Sequence, residues 1–531
     1  MPNNIRLLAL TAIIATALAI GGPASAKTFR FANDGDANSM DPYARNETFL
    51  LSFTHNIYEP LTRWDKNTKL EAALATEWSQ PSATTWRFKL RPNVKFHDGA
   101  PFGADDVIFS LNRANGQGSN MTGHFVTFKD IRKIDDLTVE IETKYPDPVF
   151  AAKMAQIAIM NKAWAEKNNA QFTSDLTKKE ENYATRNANG TGPFMLKIRE
   201  PDVRTVLVAN PGWWDKPQHN LTEVEFRVIG NDATRIAALL SGQVDMLYTV
   251  PPQDTDRITQ TKGLKIFQTP EFRTVFLGFD QARDELVESN IKGKNPFKDV
   301  RVRRAFYQAI DIEAIKTRVM RGQASPTGLM VAPGISGFVK ELNDRYPYDP
   351  EAAKKLLADA GYASGFEVGM DCPNDRYVKD EAICQAVVAM LARIGIKVNL
   401  LAQTRARYFA KILGPGYNTS FYMLGWTPGA TYDVHNVFEQ IMHGRNAQTK
   451  QGGFNVGGWS NKRFDDLSDA IEREIDSNKR NAMIAEGHKI HKEEFGHIPL
   501  HQQVIVWAAR DNIDLSQPGD NFFPLRYVQV K

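Results

Sequence analysis

Long apolar runs are scarce in this sequence. The clearest is LLALTAIIATALAI, residues 7–20, which follows MPNNIR and precedes GGPASA. It is too short to span a bilayer, and the small residues after it fit a signal-peptidase site behind Ala26. We therefore expect residues 1–26 to be a cleaved secretory signal. Because Lys27 rather than a cysteine follows the site, we expect no lipid anchor and an oxidising periplasmic location.

An excess of charge is also lacking. The formal net charge is +3 over 531 residues, so the chain shows no electrostatic footprint for nucleic acid. A mature chain of about 500 residues is too long for one hydrophobic core, and we expect two or three domains. Its 42% hydrophobic and 24% charged residues are ordinary for globular proteins, so burial should supply the stability.

Familiar catalytic motifs are absent. The sequence contains no GxSxG, HExxH or GxxxxGK[ST] segment, which disfavours a hydrolase or a phosphate-loop enzyme. Four histidines lie close along the chain: His488, His491, His497 and His501. No acidic residue at a diagnostic spacing completes a metal site there. We interpret this stretch as a solvated helix face and expect neither a metal nor a cofactor.

Only two cysteines occur, both in CPNDRYVKDEAIC, residues 372–384. Two cysteines with eleven residues between them lack the partners of a zinc site, and redox pairs usually have the C-x-x-C spacing. A Cys372–Cys384 disulfide and two buried free thiols are both possible. The expected compartment favours the disulfide.

The residues around these cysteines predict an α/β unit. FEVGMDC is typical of a strand, EAICQAVVAMLARIG of a helix that ends at Gly395, and IKVNLLA of a second strand. A strand, a helix and a strand at this spacing form a parallel pair. CPNDRY then lies where the first strand meets the helix, which is where open α/β sheets bind ligands. We expect Arg376 to meet a carboxylate or phosphate there; the alternative is a salt bridge to Asp371 or Asp375.

The end of a second predicted strand also indicates a binding site. TSFYMLGW, residues 419–426, is typical of a strand, and the irregular stretch TPGATYDVHN follows it. We expect Trp426 and Tyr432 to form aromatic walls of a binding site. Elsewhere, residues 349–362 predict a helix capped by Asp349 and stopped by Gly361.

Several segments, in order, resemble the extracytoplasmic solute-binding proteins of family 5, the dipeptide, oligopeptide and nickel receptors of ABC importers. The segments are residues 74–114, NGTGPF (189–194), NPGWWDKP (210–217), DVRVRRA (299–305) and YDPEAAKKLLADAGY (348–362). The resemblance implies an α/β, two-lobed periplasmic binding protein fold, type II-like and in the large three-subdomain form, with a hinge and a central ligand cleft.

The resemblance also implies a division of the chain. Lobe I would comprise residues 27–275 and 498–531, with an inserted subdomain at about 58–189, and lobe II would comprise residues 276–497. The protein would be a monomer that catalyses nothing, captures a solute by closure of its lobes and delivers it to the permease subunits of an ABC importer. A secreted hydrolase and a receptor subunit for a membrane sensor are the alternatives.

Individual site residues follow from the resemblance as well. Arg376 matches the arginine that holds the ligand carboxylate in family dipeptide receptors, and Asn374, Ser39 and Met40 are further ligand-binding candidates. Those receptors hold the α-ammonium with an aspartate shortly after a Gly-Trp pair, but residues 427–432 contain no acid here. Asp433, the first carboxylate, is a further candidate, although it looks equivalent to a more distal, structural aspartate. We therefore expect a small anionic solute without a free α-amino group, such as a peptide-like compound, an opine or a sugar conjugate.

Overall fold

The described chain contains both strands and helices, in mixed order. The computed structural model describes residues 27–178, 180–414 and 416–531, and the predicted signal segment lies outside them. The strands are β1 (Thr28–Asn33), β2 (Thr62–Trp64), β3 (Leu70–Ala72), β4 (Ala75–Ser82), β5 (Thr85–Leu90), β6 (Phe128–Asp135), β7 (Thr138–Thr143), β8 (Phe194–Glu200), β9 (Arg204–Ala209), β10 (Glu223–Val228), β11 (Met246–Leu247), β12 (Leu264–Phe279), β13 (Ala324–Pro326), β14 (Phe366–Pro373), β15 (Ile396–Gln403), β16 (Phe421–Trp426), β17 (His497–Arg510), β18 (Ile513–Asp514) and β19 (Gln529–Val530).

The helices are α1 (Thr48–Thr54), α2 (Ala104–Ala114), α3 (Phe150–Lys153), α4 (Lys162–Lys167), α5 (Tyr183–Arg186), α6 (Asp232–Ser241), α7 (Thr255–Gln260), α8 (Val300–Ala309), α9 (Ile312–Ala314), α10 (Pro350–Asp359), α11 (Asp380–Ala392), α12 (Arg405–Ile412), α13 (His435–Val437), α14 (Lys462–Arg473) and α15 (Ser477–Glu493). Within the described ranges, none of the helices combines the length and the apolar character needed to cross a bilayer.

One large mixed sheet runs through the molecule. Its strand order is β15-β14-β16-β12-β17-β11-β1-β10-β9-β8, and β13 also pairs with β17. The two longest strands, β12 and β17, pair antiparallel in the middle of this order. We call the half that contains β1 and β8 to β11 lobe I, and the half that contains β14 to β16 lobe II. The strands β12 and β17 belong to both lobes and join them.

The pairing of β12 with β17 is interrupted near its middle. Pro270 lies opposite Val504, but the next pair is Thr274 with Gln502. Residues 271–273 of β12 therefore face the single residue Gln503 of β17. Bulges of this kind bend a strand and often lie beside functional sites. The chain crosses between the lobes at this break, close to the boundaries predicted at 275 and 498; the full domain division stays a prediction.

Lobe I carries a second, smaller sheet. Its four strands pair antiparallel in the order β4-β5-β7-β6 and lie within the predicted insertion. The apolar face of α2, with Val107 and Leu111, is fully buried in the same core as Phe88 and Ile141 of this sheet. That core is continuous with the core of lobe I, so the insertion is packed onto the lobe rather than attached by a linker.

Lobe II contains the predicted strand–helix–strand unit. β14 and β15 are parallel, with Phe366 opposite Ile396, and α11 connects them. The predicted helix at 349–362 is α10: the Asp349 side chain accepts the backbone N–H of Ala352 at 2.9 Å, and Gly361 has a φ of +88° after its end. That left-handed conformation is the helix stop for which glycine is suited.

The predicted disulfide is present in the structure. It joins Cys372, near the end of β14, to Cys384 in α11, and both residues are fully buried in the core of lobe II. The bond fastens the strand end to the helix that follows it. Consequently, both ends of the connecting segment between β14 and α11 are tied to the core.

The interpretation of the histidines as a solvated helix face is wrong. His488, His491, His497 and His501 are all at least 95% buried. His491 Nε2 lies 2.9 Å from His497 Nδ1, and the His491 ring meets the edge of Trp459. Burial lowers the pKa of His488 to about 4, of His497 to about 3 and of His501 to about 4. Burial, reinforced by repulsion from His497, also lowers the pKa of His491.

Removing the disulfide should lower stability without changing the fold. The Cys372→Ala/Cys384→Ala protein should lose about 2–3 kcal/mol of unfolding free energy, because a short closed loop restricts the unfolded chain only modestly. Urea unfolding followed by circular dichroism measures the change, with the single Cys384→Ala protein under reducing conditions as the control. An unchanged midpoint, or a double variant that does not fold, would contradict this expectation.

The buried histidines should make the protein sensitive to acid. The ordinary histidine pKa is 6.5, and that of His497 falls to about 3 in the folded protein. Between these values the unfolded chain binds a proton that the folded one does not. Stability should therefore fall as pH drops below 6.5, by about 1.4 kcal/mol per pH unit for each such histidine.

A His497→Asn variant tests this acid sensitivity, since asparagine carries no titrating group and has an amide nitrogen near the position of Nδ1. Its urea midpoint should fall less steeply than that of the wild type between pH 6 and pH 4.5. Between pH 7 and pH 8.5 the difference between the two proteins should be constant. Equal slopes in the acidic range would show that His497 does not bear the expected proton linkage.

Candidate functional site

The segment that carries Arg376 is held by a carboxylate at the start of α11. Asp380 is buried, and its Oδ2 accepts the backbone N–H groups of Arg376 and Tyr377 at 2.9 and 3.0 Å. On either side, the N–H of Asn374 donates to the carbonyl of Gln403 at 2.9 Å. The N–H of Val378 donates to Gln503 Oε1 at 2.9 Å. Together with the disulfide, these bonds fix the backbone from which the Arg376 side chain projects.

Tyr377 connects this segment to the end of β16. Its hydroxyl oxygen accepts the N–H of Gly425 at 2.8 Å. A Cβ at Gly425 would lie 2.8 Å from the Tyr377 ring and 3.3 Å from Arg273 Cδ, so only glycine leaves room for both side chains. The two strand ends that the sequence singles out, at Arg376 and at Gly425–Trp426, are therefore neighbours in the structure.

The break in β12 supplies two more charged side chains. Arg273 Nε lies 3.1 Å from Glu271 Oε1, and Gln503 Nε2 donates to Glu271 Oε2 at 3.0 Å. Glu271 and Arg273 are two residues apart on an extended strand, so both face the same side, and Phe272 faces the other. The bulge thus places an arginine and a carboxylate beside the Arg376 segment.

These groups line one cavity between the lobes. Its volume is about 260 Å³, and its lining includes Arg376, Arg273, Glu271, Tyr248 and Asn521. We call it the hinge cavity. Burial, together with repulsion from Arg273, lowers the pKa of Arg376. Two guanidinium groups face one carboxylate there, so the cavity has a surplus of positive charge that suits an anion.

The alternative salt bridges of Arg376 are not formed. Asp371 pairs with Lys411 at 2.7 Å, and Asp375 accepts the backbone N–H of Arg405. Across residues 27–531, apart from 179 and 415, no carboxylate lies within ion-pairing distance of the Arg376 guanidinium. Its nearest aromatic contact is the Tyr377 ring, whose centroid is 5.2 Å from Cζ.

The two predicted aromatic walls have different surroundings. Trp426 is half-buried; its Nε1 donates to Asn436 Oδ1 at 2.9 Å, and its ring centroid is 4.6 Å from that of Phe454. Tyr432 is buried; its ring lies 4.6 Å from Trp64 of lobe I and 5.2 Å from Phe272, and its hydroxyl donates to Asp520. Tyr432 therefore forms a contact between the lobes.

The remaining candidates lie apart from the hinge cavity. Ser39 and Met40 are fully buried in lobe I, where Ser39 Oγ accepts the N–H of Asp41 at 3.0 Å. Both oxygens of Asp433 accept from the Arg480 guanidinium at 2.7 and 2.8 Å, in a buried ion pair that fits the structural alternative. Asn374 is exposed at the end of β14.

Sequence reasoning missed Glu271, Arg273 and Gln503. The segment TPEFRTVFLGFD shows two charged residues in front of an apolar strand, which is a weak signal on its own. Their role depends on a pairing break between strands more than 200 residues apart, and local patterns do not record such a break. In the part of the chain that the structure describes, no group of three or more His, Cys, Asp or Glu residues is placed to hold a metal ion.

A two-lobed α/β molecule with an unpaired guanidinium in a cavity between its lobes has the construction of a solute-binding protein. The chain belongs to the bacterial extracellular solute-binding proteins, family 5 (Middle), which it matches over residues 69–449. The family consists of transport proteins that bind a substrate.

Individual relatives agree with this assignment. The chain is 25% identical to the glutathione-binding protein GsiB of Salmonella paratyphi A over 508 residues, 94% of each chain. It is 26% identical to the dipeptide-binding protein of Escherichia coli K12 over 493 residues, 87% of each chain. Its fold matches HbpA2 from Haemophilus parasuis with a TM-score of 0.81 at 22% identity, covering 95% of this chain and all of that one.

Replacing Gly425 by alanine should disturb the site. The new Cβ would overlap the Tyr377 ring, and Tyr377 would have to give up its bond to the residue 425 backbone. We expect a loss of about 1–3 kcal/mol in stability, as for other overpacked positions, and weaker solute binding. Thermal unfolding measures the first effect. Gly123→Ala is the control, because no atom lies within 4 Å of its added Cβ, and equal melting temperatures of the two variants would contradict the expectation.

Proposed function

We propose that this protein is a periplasmic receptor that captures a small carboxylate-bearing solute between its lobes and delivers it to the permease subunits of an ABC importer. The observation that carries the proposal is the Arg376 guanidinium in the hinge cavity, held on a fixed backbone without a carboxylate partner. A planar guanidinium donates two parallel hydrogen bonds to a carboxylate, so Arg376 would hold that group of the solute.

Arg273 supports the same proposal. Its partner Glu271 also accepts from Gln503, so the carboxylate charge is shared between a guanidinium and an amide. An anion that enters the hinge cavity would meet both arginines and relieve their mutual repulsion. Closure would remove water from the charged groups, which strengthens their attraction to the anion, and the hydrogen bonds from both arginines would offset the cost of desolvation.

The solute is proposed to be peptide-like, an opine or a sugar conjugate. The relatives named for glutathione and dipeptides favour a peptide-like compound. Trp426, which is half-buried at the end of β16, would provide a flat apolar wall. Asn374 and Tyr432 do not line the hinge cavity itself and would reach the ligand only after closure of the lobes. We leave Ser39, Met40 and Asp433 out of the proposed ligand contacts, since the first two are fully buried in lobe I and Asp433 is paired with Arg480.

The surroundings of Trp426 favour a solute without a free α-ammonium group. Its polar neighbour is Asn436, an uncharged amide. Glu271, the carboxylate that lines the hinge cavity, is already paired with Arg273. A buried ammonium would therefore compete with Arg273 or lack a partner, and an unpaired buried charge is costly.

The cellular setting is part of the proposal. Residues 1–26 would direct export and be removed after Ala26, which leaves a monomer free in the periplasm. The lobes would comprise residues 27–275 with 498–531, and 276–497, and would close about the break in β12. Binding without catalysis would suffice for this role, in line with a family of transport proteins.

Replacing Arg376 by alanine should weaken anion binding. Charge-assisted hydrogen bonds are lost, so the affinity for a carboxylate ligand should fall at least about tenfold. Calorimetry with glutathione, the dipeptide Met-Leu and N-acetyl-Met-Leu provides the measurement. The control is Arg407→Ala, an exposed arginine of α12, which should bind as the wild type does.

The same titrations test the solute class. N-acetyl-Met-Leu should bind at least as tightly as Met-Leu, because the acetylated compound has no ammonium to bury. Tighter binding of the free dipeptide would contradict the proposed solute class. An Arg376→Ala protein with unchanged affinity for every ligand that the wild type binds would contradict the assignment of the site.

A further inference from the structure

A second cavity lies within lobe I. Its volume is about 90 Å³, and its lining comes from residues 52–68, 155–156, 193, 213 and 518–527. We call it the lobe I cavity. Aromatic and proline side chains form much of its wall: Trp64, Trp213, Phe522, Phe523 and Pro524. Such walls suit an apolar or aromatic group.

Three buried N–H groups of this cavity have no hydrogen-bond acceptor in the described protein. They are Nε of Arg526, Nε1 of Trp64 and Nη1 of Arg63. The closest carboxylate to Arg63 Nη1 is Glu59, at 3.8 Å, which is too long for a hydrogen bond. A buried donor without an acceptor costs about 1–3 kcal/mol, so three in one cavity call for a common acceptor.

The charges around the lobe I cavity are already compensated. Arg63 pairs with Glu71 at 2.7 Å and with Asp215 at 2.6 Å, and Arg526 lies 3.7 Å from Glu71. Glu59 adds a third carboxylate, whose oxygens accept from the indoles of Trp213 and Trp214. A further buried anion would lack a counter-charge, whereas a neutral carbonyl oxygen accepts from N–H donors without adding charge.

The lobe I cavity adjoins the space between the lobes. Trp64 and Asp520 line it, and both contact Tyr432 of lobe II, the first through its ring and the second by accepting from the hydroxyl. Residues 518–521 border both cavities, because Pro518 and Asp520 line the lobe I cavity and Asn521 lines the hinge cavity.

We propose that the lobe I cavity is an accessory pocket that receives an uncharged, carbonyl-bearing apolar or aromatic group of the transported solute. This inference rests on the proposed function, since it takes the solute to lie between the lobes. Arg376 would hold the anionic end, and the N–H groups of Trp64, Arg63 and Arg526 would donate to the carbonyl oxygen at the other end.

The test uses benzamide, which combines an aromatic ring with a neutral carbonyl, on the full mature chain labelled with 5-fluorotryptophan. The fluorine resonances are assigned from single Trp→Phe variants. Benzamide should shift the resonances of Trp64 and Trp213 and leave that of Trp164, in α4 of the insertion, unchanged. Toluene has no carbonyl oxygen to accept from these N–H groups, and benzoate adds a negative charge. Both should shift the two resonances only at higher concentration.

A Trp64→Phe variant keeps the ring and removes the Nε1 donor. Benzamide should then shift the Trp213 resonance at an about fivefold higher concentration, the effect of one lost hydrogen bond. Trp164→Phe is the matched control and should titrate as the wild type does. No shift at Trp64 and Trp213, equal effects of toluene or benzoate, or an unchanged titration in Trp64→Phe would each overturn the proposal.

One further experiment distinguishes failure of this proposal from failure of the proposed function. Arg376→Ala should leave the benzamide titration unchanged, since Arg376 does not line the lobe I cavity. Failure of benzamide to bind would overturn the proposed accessory pocket. The titrations of Arg376→Ala with carboxylate ligands would still show whether the hinge cavity binds an anion. A benzamide titration altered by Arg376→Ala would overturn the separation of the two sites.

Discussion

The antiparallel pair of β12 and β17 is the constraint on which the rest of this structure depends. Both strands belong to both lobes, so the backbone hydrogen bonds of one sheet hold the two halves together. The pairing breaks at residues 271–273, where three residues face Gln503. A break at this position serves two purposes, because it lets the sheet bend and turns Glu271 and Arg273 toward the ends of β14 and β16. The hinge and the charged site are therefore the same backbone feature.

The position of Arg376 follows from this arrangement and from a second, local one. Parallel strands bring their carboxyl ends to one edge of a sheet, and β14 and β16 are parallel neighbours. Asp380, the disulfide and the hydroxyl of Tyr377 then hold the connecting segment at separate points. A guanidinium on a fixed backbone loses little entropy when it binds a ligand. The backbone at Arg376 is thus already ordered before an anion binds.

The sequence predicts well those helices and strands that depend on local residue patterns. Hydrophobic periodicity and capping residues predict α10, α11 and the strands around them, and the topology that follows brings Arg376 near Trp426. The sequence predicts poorly the burial of side chains and the strand pairing that depend on residues far apart in the chain. The lysines and glutamates around His488 and His491 predict a solvated helix face, yet the His488 ring faces Phe438, the His491 ring faces Trp459, and both are buried. The break at 271–273 is likewise set by pairing across the fold, so no local pattern predicts Arg273.

Tyr432 shows how the hinge and both lobes are coupled. It belongs to lobe II, but it packs on Trp64 of lobe I and on Phe272, the residue of the break that faces away from Arg273. Because Phe272 and Arg273 are adjacent on one strand, a bend at the break changes the positions of both side chains relative to lobe II. Any rotation of lobe II therefore alters the Tyr432 contact on one side of β12 and the Arg376–Arg273 pair on the other. The Tyr432 contact and the position of Arg273 thus depend on adjacent residues of one strand, and a bend at the break would displace both.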